Sequence, residues 1–381
     1  MSEACPSCGA AGLEPFHEIE RVPVHSCRLV GSREEAESFP TGRLRLALCR
    51  ECGFITNTAF ETALQDYSVA YEETQAFSPL FSEFLRELAE RWVDRYALRG
   101  KRVLEIGSGK GEFLLLLSEL GVAECVGIDP GFVPERVEER PGLRFVRDLY
   151  SERYSDLTGD AIVCRHTLEH IHPVGDFMRL IRSTLGGNEV VLFELPDVLR
   201  VLREGAFWDL YYEHASYFSP GSLARLFRAT GFEPVALELA YDDQYVLLDA
   251  RPGRDGGALA LEEDASDVVE AVESFRRVHE ARVGEWRERL AETGRAVIWG
   301  AGSKGVAFLT TLGDAADIEI AVDINPYKQE KYLAGSGVRV VAPGFLREYR
   351  PDLVFAMNSI YLDEIGQTLS ELDLDARLVT V

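Results

Sequence analysis

Nine consecutive residues constrain the fold more than any others. Val103-Leu104-Glu105-Ile106-Gly107-Ser108-Gly109-Lys110-Gly111 is an apolar run that ends on three evenly spaced glycines and passes directly into a helical pattern. Glycine at those positions lets the backbone turn sharply and pass close to a ligand, so the segment predicts strand, tight turn and helix. The pattern continues. RVLEIG, CVGIDP, LRFVRD, DAIVCRH and EVVLFELPD read as strands, with helical segments among them. That alternation predicts βαβ units and a parallel sheet. After a Pro/Gly-rich stretch at 251–258 and a charged helical segment at 259–293, AVIWGAG opens a second α/β unit. The chain is therefore expected to be α/β in three parts. Residues 1–62 form a cysteine-rich lobe, 63–252 a first α/β domain, and 253–381 a helical linker with a second Rossmann-like domain.

The lobe carries five of the seven cysteines. Cys5-Pro-Ser-Cys8 and Cys49-Arg-Glu-Cys52 are paired C-x-x-C units, each followed by glycine, Gly9 and Gly53. Two thiolates at that spacing reach one tetrahedral ion, and the glycine lets the chain turn beneath it. Cys5, Cys8, Cys49 and Cys52 are thus expected to hold a structural Zn2+, its coordination closed by four thiolates. Cys27, with His25 nearby, is a competing ligand expected to be a spectator.

Forty basic against 64 acidic residues give a formal charge of −24. That balance argues against nucleic acid and anionic membrane as partners. The polar, acidic start reads as no signal peptide, and no apolar run reaches membrane-spanning length. A cytoplasmic monomer acting on a small molecule is the expectation.

Glu105 inside the strand separates this glycine loop from a dinucleotide loop, giving E-x-G-x-G-x-G. It resembles motif I of class I methyltransferases, which bind S-adenosylmethionine. The resemblance implies a class I methyltransferase Rossmann-like sheet in the central part. Glu105, Gly107, Gly109 and Gly111 would then serve the methyl donor. Asp129, at the end of the next strand, would accept from ribose hydroxyls. Asp148 would contact the adenine amine, and His166 would lie at the ligand-binding edge of the sheet.

Four of the seven histidines cluster in the central part after this loop: His166, His170, His172 and His214. The densest stretch, Asp209 to Phe218, packs Tyr211, Tyr212, Glu213, His214 and Tyr217 together. It offers a base that titrates near neutral pH, a carboxylate to orient it, and phenols to hold a substrate. Here the chain resembles the nucleotide-sugar C-methyltransferases of deoxysugar pathways over nearly its whole length. The matching motifs are the cysteine pairs, E-x-G-x-G-x-G, L-E-H-I at 168–171, E-x-P at 194–196, Y-x-E-H-x-x-Y-F at 211–218, GAGSKG at 300–305 and VDINPYKQEKYLAG at 322–335.

The resemblance implies that His214 removes a proton alpha to a ketone and that the carbanion attacks the sulfonium methyl. Glu213 would orient His214, Tyr211 and His170 would line the reacting centre, and Tyr71 would close over it. Tyr217, Gly302, Lys304 and Asp323 would hold a nucleotide-linked sugar. The family's His-Gly-Gly-Ser-like stretch is here Asp242-Asp243-Gln244-Tyr245, and its Ala-Pro-Ala-Lys-Gly loop is Gly302-Ser303-Lys304-Gly305, with Lys304 kept. A non-sugar acceptor, methylated on carbon or oxygen, therefore stays open. So does an NAD-dependent oxidoreductase. By spacing, Gly300 to Gly305 with Asp323 is a dinucleotide fingerprint; it suits a diphosphate site, a structural remnant or an NAD site.

Overall fold

The computed structural model describes residues 4–254, 256–291, 294–313 and 317–381. In chain order the strands of the lobe are β1 (Glu14–Pro23), β2 (Thr41–Leu48) and β3 (Ile55–Asn57). Those of the central part are β4 (Arg102–Ile106), β5 (Glu124–Ile128), β6 (Leu143–Val146), β7 (Ala161–Arg165), β8 (Val190–Pro196), β9 (Ser216–Tyr217), β10 (Phe232–Ala240) and β11 (Tyr245–Pro252). The C-terminal part supplies β12 (Ala296–Trp299), β13 (Ile318–Val322), β14 (Arg339–Val341), β15 (Leu353–Ala356) and β16 (Arg377–Thr380).

Seven strands form the central sheet in the order β10-β11-β8-β7-β4-β5-β6. The five from β4 to β8 run parallel, and β10 and β11 form an antiparallel hairpin at its edge. Strands β4, β5, β7 and β8 are buried on both faces, which is why they read as largely apolar runs, whereas the edge strand β6 is only half-buried. Helix Pro79–Arg95 covers one face. Ser78 caps it by accepting from the Phe81 amide, Pro79 opens it, and Phe81, Leu85, Leu88 and Trp92 recur on its buried side. A second, all-parallel sheet runs β14-β13-β12-β15-β16.

The lobe is less separate than its cysteine content suggests. Its antiparallel sheet takes a fourth strand, β9, from the central part. Cys5, Cys49, Cys52 and Phe54 share a core with Ile162, Phe193, Phe218 and Phe227 of the central domain. Helix Ala265–Ala291 joins the lobe to the C-terminal part: Phe275 and Trp286 lie in one core with Leu44, Leu46, Phe308 and Phe355. Strand order in both α/β sheets places the glycine loops after β4 and β12 at the carboxyl ends of their strands, where open α/β sheets bind ligands. No helix among the described residues is long and apolar enough to cross a membrane.

Candidate active site

The two glycine loops face one cavity of about 590 Å³, lined from Glu105, Gly107 and Gly109 on one side and from Gly300, Gly302 and Lys304 on the other. Of the residues singled out in the sequence, Asp129, Asp148, His166, His170, Tyr71, Tyr211, His214 and Asp323 also line it.

The first loop is shaped by steric need. Gly107 has φ +74°, and a Cβ there would lie 1.8 Å from Thr167 Oγ1. Thr167 cannot easily yield, because its hydroxyl donates to the Arg165 carbonyl at 2.9 Å. Gly107→Ala therefore combines a left-handed backbone with a clash and is expected to cost about 1–3 kcal/mol of stability, read from the melting temperature. A variant that melts like the native chain would contradict this. At Gly109 a Cβ would come within 2.9 Å of Glu73 Oε1.

Asp129 follows β5 and accepts from the amides of Gly109 (2.9 Å) and Gly131 (2.6 Å). Asp323 does the same after β13, accepting from Ala301 (2.9 Å) and Asn325 (2.8 Å). Each aspartate thus ties its glycine loop to the next strand. Asp148 is half-exposed at the cavity rim, paired with Arg153 and Tyr154.

Glu105 is buried at the end of β4, and its Oε2 makes no hydrogen bond. Burial pushes its carboxyl up to about 8, against the pull of Arg165. Burial would also raise Glu194, but Arg165 at 2.5 Å and His166 hold it at about 2. His166 in turn is carried up to about 9 by Glu194 and Glu169, although burial opposes it, and its φ is +46°.

The Asp209–Phe218 stretch folds into the far wall. His214 is buried, and its ring makes no hydrogen bond among the described residues. Burial and the neighbouring His170 push its pKa down to about 4, so the ring is neutral at neutral pH. His170 crosses it edge-on at 5.0 Å, and Tyr211 at 4.7 Å. Tyr67 hydroxyl lies 2.8 Å from His170 Nδ1. Tyr211 donates to Asp209, which also binds Lys304 and Arg200. Tyr71 is half-buried, stays protonated because desolvation raises it, and lends its hydroxyl to no protein partner among the described residues.

Three of the residues assigned from the sequence to donor binding, catalysis or acceptor binding do not line the cavity. Gly111 starts helix Glu112–Glu119 with φ +91°, pressed against Phe145. Glu213 does not orient His214: its carboxylate faces His25 Nδ1 at 3.2 Å and accepts from the Ser26 amide. It therefore anchors the lobe, and only its carbonyl reaches the site, 3.1 Å from His170 Nδ1. Tyr217 turns away because its hydroxyl donates to the Tyr211 carbonyl at 2.8 Å, clamping the loop that carries His214.

Other residues of the site were not legible in the sequence. Lys110, between the second and third glycines, is fully buried and donates to the carbonyls of Tyr71 and Gly131. It fixes the segment around Tyr71 to the glycine loop. Glu72 then binds Arg136 in a fork and accepts from Asn325, joining the same segment to the C-terminal part. Gln244 and Asn358 exchange two amide hydrogen bonds of 3.0 Å across the cavity edge, so the departing 242–245 segment does reach it.

At the other end of the lobe the four sulfurs of Cys5, Cys8, Cys49 and Cys52 lie within 4.8 Å of one another. The Cys5–Cys52 and Cys8–Cys49 separations are 3.8 and 3.7 Å. A tetrahedron with zinc–sulfur bonds of about 2.3 Å has edges of about 3.8 Å. The two hairpins repeat each other: Gly9 donates to the Cys5 carbonyl and Gly53 to that of Cys49, both glycines with positive φ. Cys27 is not in this cluster; its sulfur lies 3.2 Å from Ser303 Oγ, at the cavity.

Residues 81–237 match the family model of a methyltransferase domain, and residues 263–380 that of a C-methyltransferase C-terminal domain. The C-methyltransferase NovU of Streptomyces niveus is 25% identical over 391 residues, spanning 95% of this chain and 91% of its own. Among solved structures, the 1,6-didemethyltoxoflavin-N1-methyltransferase of Burkholderia thailandensis is 20% identical, with a TM-score of 0.36 over 45% of this chain and 80% of its own. The magnesium protoporphyrin IX methyltransferase of Synechocystis PCC 6803 is 16% identical, with a TM-score of 0.37 over 46% and 84%. The two family models, one after the other, and a relative aligned nearly end to end support an S-adenosylmethionine-dependent methyltransferase that is similar to C-methyltransferases.

Proposed function

We propose that the acceptor is a ketone carried on a nucleotide-linked sugar, methylated at the carbon alpha to the carbonyl, with His214 as the base. One observation carries this reading: the neutral, hydrogen-bond-free ring of His214 lines a cavity flanked by both glycine loops. Bound S-adenosylmethionine supplies an electrophilic methyl group. His214 takes the alpha proton, and the Tyr71 hydroxyl donates to the oxygen on which charge develops. Lys304, Gly302 and the start of helix Ser303–Leu312 suit the acceptor's diphosphate. The segment held by Lys110 and Glu72 excludes water. Four thiolates at tetrahedral spacing support a structural zinc in the lobe, remote from this chemistry in role.

Proton abstraction that precedes methyl transfer leaves a trace. With adenosylhomocysteine bound in place of the donor, candidate nucleotide ketosugars in deuterated water are expected to exchange the alpha hydrogen, seen by proton NMR. Transfer without any such exchange in every candidate would remove the carbanion step.

Glu105 is the residue suited to the donor's ammonium, because its buried Oε2 lacks a partner. Its carboxyl, at about 8, carries a proton at pH 7 with Arg165, Glu112, Asp129 and Glu194 as charged neighbours. A cation favours the carboxylate, so binding expels that proton. Affinity for adenosylhomocysteine should therefore rise with pH toward 8, by up to about tenfold per unit, and Glu105→Gln should flatten the rise. Calorimetric titration in buffers of different ionisation enthalpy reads the released proton; binding without proton release would exclude this role.

A further inference from the structure

The base does not stand alone. A carboxylate oxygen of Glu169 and one ring nitrogen each of His170 and His214 lie within 4.8 Å of one another. We propose that these three side chains form a second metal site, distinct from the cysteine knuckle, which takes a divalent transition cation such as Zn2+ or Co2+ and competes with the proton for His214. The effect on turnover rests on the reading of His214 as the base; the binding does not.

Each of the three has a lone pair to give. Glu169 is buried, and its Oε2 makes no hydrogen bond, while Oε1 lies 3.5 Å from His166 Nδ1. His170 Nδ1 is 3.1 Å from the Glu213 carbonyl and 2.8 Å from the Tyr67 hydroxyl. An Nδ1–H donated to that carbonyl leaves Nε2 as the ligand, the arrangement that fixes metal-binding histidines elsewhere. Neither ring nitrogen of His214 is engaged among the described residues.

Two imidazoles and one carboxylate are the donor set of an open zinc site, which leaves a coordination position for a ligand from solution. Ligand atoms on a common zinc with bonds of about 2.0 Å lie roughly 3.3 Å apart, and small ring rotations bring atoms that already lie within 4.8 Å of one another to that spacing. All three residues line the cavity, so a cation enters from solvent. Nitrogen donors favour zinc and cobalt over magnesium, which prefers oxygen and retains water. Coordination consumes the lone pair that His214 needs for the substrate proton, so an occupied site is an inhibited enzyme.

The test titrates Co2+ into protein whose knuckle already holds its metal and follows the visible absorption. A second equivalent is expected, with weak bands and no thiolate charge-transfer band. Glu169→Gln and His170→Ala should each lose it while still binding adenosylhomocysteine, which shows that they are folded. In the native enzyme, Zn2+ at ten times its dissociation constant should lower turnover about tenfold, reversed by chelation, and Mg2+ should not. No second equivalent, or one retained in both variants, would overturn the site and leave the base assignment intact. Binding without inhibition would overturn the competition and, with it, the base.

Discussion

His214→Ala is expected to lower kcat by about 10²–10⁴-fold while leaving adenosylhomocysteine binding intact. That loss corresponds to about 3–5 kcal/mol of transition-state stabilisation. The ring lies among His170, Tyr211 and Tyr217 and makes no hydrogen bond of its own, so its removal takes away chemistry rather than a structural tie. The pH profile gives an independent reading. With its pKa near 4, His214 becomes neutral as pH rises through 4 and remains so to alkaline pH. The acid limb of kcat that belongs to it should fall below pH 5, well under that of a free histidine. His214→Ala should remove that limb along with the rate. A variant that turns over at the native rate, or retains α-hydrogen exchange, would show that another group takes the proton.

Most of the framework was legible before any coordinates. Apolar runs marked β4, β5, β7 and β8 because strands buried on both faces show no polar alternation. The short strands β14 and β16 gave too little pattern to stand out. The cysteine pairs were legible because metal geometry demands a fixed spacing. What escaped were contacts whose partner is backbone or lies far along the chain. Lys110 holds two carbonyls, which leave no mark on the sequence. Glu72, Arg136 and Asn325 meet from three separate segments. Glu213 shows the converse: adjacency to His214 suggested a dyad, yet the backbone points their side chains apart, and the carboxylate finds His25 instead. Tyr217 was read as a substrate contact for the same reason, density of polar residues, but a buried hydroxyl takes the nearest free carbonyl.

Removing the zinc proposed for the four cysteines should unfold more than the knuckle. Cys5, Cys49 and Cys52 are buried beside Phe54, Phe218 and Leu223, so an apo cluster leaves three crowded thiols inside a core and a fourth, Cys8, at its edge. The neighbouring elements are tied to it by backbone: Arg225 donates to the Cys52 carbonyl at 2.9 Å, and the Gly175 amide to that of Pro6 at 3.1 Å. Strand β3 carries the effect into the site, since Thr56 and Asn57 both bond the Ala215 carbonyl, next to His214, and β3 pairs with β9. Chelation, or Cys52→Ser, is therefore expected to cost upwards of about 4 kcal/mol and to lower the melting temperature by about 5 °C or more. Turnover should fall before donor affinity does, because the loop that carries the base leans on the lobe while the first glycine loop leans on the central sheet. Melting curves and adenosylhomocysteine titrations, run on metal-replete and chelated protein, separate the two losses. If the chelated enzyme melted and turned over as before, with metal analysis proving it empty, the four cysteines would be a packing cluster and the stability of the lobe would have to come from its β-sheet alone.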